Sequence, residues 1–109
     1  HMFDHTVVAP PRQHKNFTFH REALATRNID GVAGTLESHL RRAESLMPLG
    51  RAILKMDVEG AEFEALLQAP EAVLARFDQI CIELHWLGRP TRGGDFRTKA
   101  LALERLQEH

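Results

Sequence analysis

A chain of 109 residues is long enough for one domain with a modest hydrophobic core, and too short for two. Hydrophobic residues make up 43% and charged residues 27%, which is typical of a folded protein and excludes a disordered one. A net charge of −1, with no basic stripe and no apolar run of membrane-spanning length, predicts neither a nucleic-acid nor a membrane partner. Cys81 is the only cysteine, which excludes a disulfide framework and, with the lack of a signal-peptide pattern, predicts a cytoplasmic protein.

The first half of the chain predicts two strands and one helix. Residues 2–8 read as the end of a strand, and residues 16–20 alternate as a second strand, with both phenylalanines on one side. Thr35 is a suitable N-cap for a helix that Pro48 and the following glycine would end. The apolar face of this helix carries Leu36, Leu40, Ala43 and Met47.

The second half of the chain predicts a strand–helix–strand unit. Residues 52–58 and 79–84 are apolar runs that end in acidic residues, as expected for strands buried on both faces of a parallel sheet. Between them residues 61–76 have helical periodicity, and Pro70 divides them into two helices. A loop and a last helix follow, at residues 88–94 and 99–107. Strands that alternate with helices predict an α/β fold.

Chemically active side chains follow both of the buried strands. Asp57 and Glu59 stand two residues apart after the first strand, and Glu83 and His85 stand two apart at the end of the second. Ligands of open α/β sheets bind at the carboxyl ends of strands. If these two strands are neighbours, three carboxylates and an imidazole therefore meet at one edge. Such a group could bind a substrate hydroxyl, abstract a proton or hold a divalent cation.

Structural roles compete with functional ones at several of these positions. Glu59 and Glu62 precede or begin a helix, where the macrodipole favours acids, and for Glu62 we favour that role. Asp57 is harder to explain in this way, because a buried carboxylate is costly unless it is satisfied. His85 is either an active-site base or a structural histidine, and for Trp86 we favour a place in the core or a lid over one as a substrate platform. The other histidines lack the spacing of zinc ligands, so we assign no metal.

Two motifs in the second half of the chain match those of a known family. Residues 55–62 read Lys-Met-Asp-Val-Glu-Gly-Ala-Glu, and residues 82–85 read Ile-Glu-Leu-His. Both motifs, and the distance between them, resemble those of the FkbM family of methyltransferases. The resemblance covers nearly the whole chain. It implies a Rossmann-like methyltransferase fold, with a mostly parallel sheet flanked by helices, and S-adenosylmethionine as the methyl donor.

The resemblance also implies roles for the residues after the two buried strands. Asp57 would lie at the reacting centre, in contact with S-adenosylmethionine. Glu59 and His85 would orient or deprotonate the acceptor, a hydroxyl of a small molecule or sugar. Glu83 and Trp86 would complete the substrate-binding site.

Further residues for the methyl donor are implied in the first half of the chain. Asp4 resembles the acid at the end of the family's second strand, which holds the ribose. Residues 19–24 resemble the third strand and the turn that flanks the adenine, so Glu22 and Ala23 would also bind the donor.

The chain departs from the family pattern at both ends. The family's glycine-rich turn, which approaches the methionine part of the donor, has no counterpart, because residues 31–34 follow no predicted strand. We therefore expect residues 3–109 to form one partial methyltransferase-like domain, inactive alone, with residues 1–2 as the remnant of a tag. Exposed strand edges would favour a homo-oligomer. The alternatives are a non-catalytic interaction domain with a degenerate methyltransferase fold and, less favoured, a metal-dependent hydrolase.

Overall fold

The computed structural model describes residues 1–46, 50 and 52–108, and in these ranges the chain has an α/β fold. The strands are β1 (Met2–Phe3), β2 (Phe19–His20), β3 (Ala23–Leu24), β4 (Ala33–Gly34), β5 (Ala52–Met56) and β6 (Phe77–Ile82). The helices are α1 (Leu36–Leu46), α2 (Glu62–Gln68), α3 (Glu71–Leu74) and α4 (Phe96–Gln107). None of the described helices combines the length and apolar character needed to cross a bilayer.

The described strands form three separate parallel pairs: β1 with β2, β3 with β4, and β5 with β6. The expected single, mostly parallel sheet is therefore not seen in the described residues. Strands of only two residues offer too few backbone groups to extend a ladder, and four of the six are this short. The β5–β6 pair is the longest, running from Ala52 opposite Phe77 to Met56 opposite Ile82. This pair confirms that the two strands are parallel neighbours. The expected burial on both faces is wrong, because β5 and β6 each contain exposed residues, such as Ile53.

The first strands are shorter than their patterns predict. After β1 the Asp4 side chain accepts a hydrogen bond from the Thr6 amide at 2.7 Å, which turns the chain away from an extended course. Phe17, expected in a strand, lies outside β2 with 55% of its surface exposed. Met2, set aside with His1 as a tag remnant, lies in β1 and donates its amide to Thr18.

The helix starts follow local capping chemistry. The Thr35 hydroxyl accepts from the Ser38 amide at 3.2 Å, which confirms the predicted cap of α1. Pro70 separates α2 from α3, as predicted. The last helix begins at Phe96, earlier than its apolar pattern indicates, because Asp95 caps it by accepting from the Thr98 amide at 2.7 Å. The predicted positions of Met47 and Pro48 lie outside the described residues.

The core lies between the β5–β6 pair and helices α2 to α4. Phe63 and Leu66 of α2 are completely buried, and Met56, Phe77 and Ala102 pack with them. Buried apolar side chains of this kind hold α2 in a fixed orientation against the sheet. The first turn of α2 therefore lies at the carboxyl ends of β5 and β6, where the polar residues collect.

Candidate functional site

His85 is the centre of a cluster of ionisable side chains at the carboxyl ends of β5 and β6. Its Nε2 atom lies 3.6 Å from Oδ1 of Asp57, 3.7 Å from Oε1 of Glu59 and 3.6 Å from Oε1 of Glu83. The Glu83 amide also donates to the carbonyl of Met56, which keeps the two strand ends in register. The structure thus brings together the four residues that the sequence placed at this edge, while their roles stay predictions.

Glu62 is the member of the cluster that sequence analysis underrated. Its carboxylate is fully buried, and its Oε1 atom lies 2.5 Å from Nδ1 of His85. Glu62 does lie in the first turn of α2, as expected, but it contacts a histidine rather than solvent. Its spacing in the sequence was the available signal, because Glu62 lies one helical turn before Leu66 and both lie on the buried face of α2. A carboxylate on that face needs a partner.

The Glu62 contact decides the state of the imidazole. A carboxylate oxygen acts as a hydrogen-bond acceptor, which assigns the donor role in this contact to the Nδ1–H group of His85. In neutral His85 the Nε2 atom is then the free acceptor, and it faces Asp57, Glu59 and Glu83. The hydrogen bond to Glu62 raises the pKa of His85, the negative charges of Glu62, Glu59 and Glu83 act in the same direction, and desolvation opposes them.

Asp57, Glu59 and Glu83 form the solvent-facing side of the cluster. Asp57 is half-exposed rather than buried, and Nζ of Lys55 lies 3.4 Å from its Oδ2 atom. One atom each from Asp57, Glu83 and His85 lie within 4.8 Å of one another, so these three could hold a divalent cation. Exposed carboxylates also gather without an ion. The same atoms are equally suited to accept hydrogen bonds from a hydroxyl-rich ligand.

Glu59 of the cluster and Trp86 beside it have backbones in the left-handed region. Glu59 has φ of 54° and Trp86 has φ of 60°, values that are strained for residues other than glycine. The two residues are in contact, because the indole Nε1 of Trp86 donates to the Glu59 carbonyl at 3.4 Å. Strain of this kind persists only where surrounding contacts hold it, and it concentrates at functional sites.

The indole of Trp86 is a wall of the site rather than a free platform. The Arg92 guanidinium lies 4.7 Å from the centre of the indole. A Cβ atom on Gly60, whose φ is 106°, would come within 3.0 Å of the indole Cδ1 atom. Gly60 therefore permits both the turn after β5 and the close approach of Trp86. The predicted role of Trp86 in substrate binding is not tested by these contacts.

Of the residues predicted for the methyl donor, Asp57 belongs to this cluster, whereas those in the first half of the chain have other described contacts. Asp4 follows β1 and its carboxylate accepts from the amide and hydroxyl of Thr6, bonds that lower its pKa. Glu22 forms an ion pair with Arg42, and Ala23 begins β3. No described hydrogen bond or ion pair joins Asp4, Glu22 or Ala23 to His85 or its carboxylates.

Comparison with known proteins identifies one family. The sequence model described as Methyltransferase FkbM domain matches residues 9–106, which is most of the chain. No curated protein and no solved structure matches the chain. The matched range includes His85 and all four of its carboxylate neighbours, whereas Asp4 lies just before it.

Proposed function

The chain belongs to the FkbM methyltransferase family, and from that premise we propose that its domain methylates a hydroxyl oxygen of a small molecule or sugar. The methyl donor in this proposal is S-adenosylmethionine, bound in a Rossmann-like methyltransferase fold. The single observation that carries the proposal is the His85 imidazole, fixed by buried Glu62 on one nitrogen and facing three carboxylates with the other.

In the proposed reaction His85 acts as the general base. Its neutral Nε2 atom accepts the proton of the acceptor hydroxyl as the new oxygen–carbon bond forms, and the proton then passes to water. Glu62 stabilises the imidazolium that results, and it holds the ring in the tautomer that leaves Nε2 free. The methyl group would come from the sulfonium of S-adenosylmethionine, held by Asp4 and Asp57, and the breaking carbon–sulfur bond would leave its electron pair on the neutral thioether. Since this displacement requires in-line alignment, the fixed orientation of His85 and the acceptor is the main contribution of the protein.

The three exposed carboxylates suit a polyhydroxylated acceptor. Asp57, Glu59 and Glu83 surround the Nε2 atom at 3.6 to 3.7 Å, so an acceptor hydroxyl at this atom would have carboxylate oxygens on three sides. Carboxylates accept hydrogen bonds and donate none, so they favour ligands that carry several hydroxyl donors. Their negative charge also stabilises the imidazolium after proton transfer.

Asp4 and Glu22, both proposed to bind the methyl donor, differ in the contacts that their carboxylates already make. Asp4 is ionised and partly exposed at the carboxyl end of β1, a position suited to binding ribose hydroxyls. The carboxylate of Glu22 is already engaged by Arg42 and lies 3.6 Å from His39. We propose Asp4 as the ribose ligand, Glu22 and Ala23 as the residues that flank the adenine, with Glu22 held by Arg42, and Asp57 as the contact at the reacting centre.

An Asp57→Asn variant of the complete natural protein tests the assignment. The substitution keeps the side-chain shape and removes the charge beside His85, so methyl transfer from S-adenosylmethionine should fall on the order of a hundredfold or more. Glu104→Gln, on exposed α4 surface, is the matched control and should retain activity. Near-normal turnover in Asp57→Asn would assign Asp57 a structural role only.

We also propose self-association of the isolated chain through β5. Within the described residues β5 pairs with no strand other than β6, and Ile53, in β5, is 67% exposed. Open edges with apolar residues favour pairing with a second copy. Light scattering should give a mass above the 12.4 kDa of one chain, and Ile53→Lys should reduce it. Val8→Lys, at an exposed site outside the strands, is the control. A monomeric wild-type chain contradicts this proposal.

A further inference from the structure

Lys99 of α4 carries a buried charge close to the site. Its side chain is nearly inaccessible to solvent, and its Nζ atom donates to the carbonyl of Trp86 at 2.6 Å and to the carbonyl of Arg89. The rings of Phe63 and Phe96 lie 5.7 Å and 5.8 Å from Nζ. No described carboxylate forms an ion pair with this ammonium. Burial of a charge without a carboxylate partner costs free energy. The position of Lys99 at the two carbonyls therefore needs a structural or functional explanation.

Both carbonyls belong to the turn that directly follows His85. Trp86 is the left-handed residue of that turn, and its carbonyl also accepts the Arg89 amide at 2.9 Å. A tryptophan leaves the left-handed region unless it is held there. Besides the Arg89 amide and the Arg92 guanidinium, two contacts from outside this loop hold it: Lys99 donates to the carbonyl, and the indole donates to the Glu59 carbonyl. His85 and Trp86 are joined by one peptide bond. The backbone conformation of the turn at Trp86 therefore sets the direction of the His85 imidazole.

We propose that Lys99 is a positioning residue, which holds the left-handed turn at Trp86 and thereby aims His85 at Glu62, Asp57 and Glu83. The inference rests on the proposed function, since it concerns the group proposed as the base. Without the ammonium, Trp86 relaxes towards an ordinary backbone conformation. His85 then loses its fixed distance to Glu62 on one nitrogen and to the exposed carboxylates on the other.

Arg105 provides a matched comparison on the same helix. Its guanidinium also donates to two backbone carbonyls, those of Leu67, at 2.6 Å, and Ala69. These carbonyls lie at the end of α2, at the opposite end of that helix from Glu62. Arg105 and Lys99 thus tie α4 to neighbouring backbone by the same kind of bond, and only Lys99 binds the turn after His85.

The test compares Lys99→Met with Arg105→Met by following the His85 ring protons through a pH titration by NMR. In Lys99→Met the pKa of His85 should fall towards the ordinary value for histidine, because the contact with Glu62 is lost. In Arg105→Met it should stay at the wild-type value, even where the melting temperature falls as much. Equal His85 titrations in the two variants would overturn the proposal.

Two further measurements complete the test. If Lys99→Met does not fold, Lys99→Gln replaces it, because the glutamine amide can still donate to one of the two carbonyls. In Lys99→Gln the pKa of His85 should fall part of the way to the ordinary histidine value. A His85 pKa equal to that of the wild type would overturn the proposal. In the complete natural protein, Lys99→Met should lower kcat on the order of tenfold or more with little change in KM, as expected for misalignment. A shifted titration in a protein with no methyl transfer would reject the proposed function and leave the positioning role of Lys99 supported.

Discussion

The Nδ1 atom of His85 lies 2.5 Å from Oε1 of Glu62, a carboxylate that has no contact with solvent. The second oxygen of Glu62 is also buried and has no hydrogen-bond partner among the described residues. A carboxylate in this setting depends on the imidazole for its stabilisation, and the imidazole depends on the carboxylate for its orientation. The chemistry proposed for the site follows from this mutual dependence.

Replacement of Glu62 by glutamine should lower the pKa of His85. The hydrogen bond from Nδ1 to the Glu62 carboxylate is the largest cause of the raised value, and a neutral amide removes most of its charge-assisted strength. The pKa is measured from the NMR titration of the His85 ring protons. Glu64→Gln, on the exposed side of the same helix, is the control. A His85 pKa that falls equally in both variants would mean that helix charge, rather than contact, raises it.

The rate of methyl transfer should increase with pH through the raised pKa of His85. A general base acts only in its neutral form, so the acid limb of kcat/KM should lie above pH 6.5, the ordinary value of histidine, by the direction of the shift. In Glu62→Gln the limb should move to lower pH and the plateau should fall, because the base is weaker and less well oriented. If the acid limb of kcat/KM lies at the same pH in Glu62→Gln and in the wild type, a group other than His85 causes it.

Protein stability should decrease as the pH falls below 6.5, because of His39. Burial lowers the pKa of His39 despite the nearby Glu22 carboxylate. Between pH 6.5 and that lowered pKa, the unfolded chain binds a proton that the folded chain does not. The free energy of unfolding therefore decreases as the pH decreases. His85 has the opposite effect. Its raised pKa in the folded chain gives stabilisation below pH 6.5, and this stabilisation is lost as the pH rises through the raised pKa. Urea denaturation of His39→Gln across pH 5 to 7 should show a flatter slope, with His5→Gln as the exposed control.

Removal of the Phe63 ring should be far more destabilising than removal of an exposed one. Phe63 is completely buried next to Glu62, so Phe63→Ala leaves a cavity and should cost about 3–5 kcal/mol. Phe17→Ala, at a largely exposed position, should change stability by about 0.5 kcal/mol or less. Equilibrium urea denaturation measures both. Similar losses in the two variants would contradict the core described above.

The sequence predicts the site residues that follow the two strands better than it predicts the groups that hold them in place. The convergence of Asp57, Glu83 and His85 could be predicted, because parallel neighbouring strands place their carboxyl ends at one edge. The role of Glu62 was missed because an acid in a first helical turn has an adequate structural explanation. The left-handed backbones of Glu59 and Trp86 leave no sign in residue type, since neither is glycine or asparagine.

The sheet was overestimated for a related physical reason. Short apolar alternation near Phe17 predicts a strand, but strand formation also needs a partner with enough backbone groups to pair. β1 and β2 pair over only two residues each, and the turn that Asp4 makes with Thr6 ends the extended course. The helices were predicted more closely, because caps such as Thr35 act through bonds within a few residues.

The most direct measurement is methyl transfer from S-adenosylmethionine to hydroxyl acceptors by the complete natural protein and its His85→Asn variant. The proposed function predicts that wild type is active and that the variant, while still folded, loses at least about a hundredfold in kcat/KM. His14→Asn, at an exposed position, is the matched control and should keep wild-type activity. Full activity in His85→Asn would contradict the central claim that this imidazole is the base.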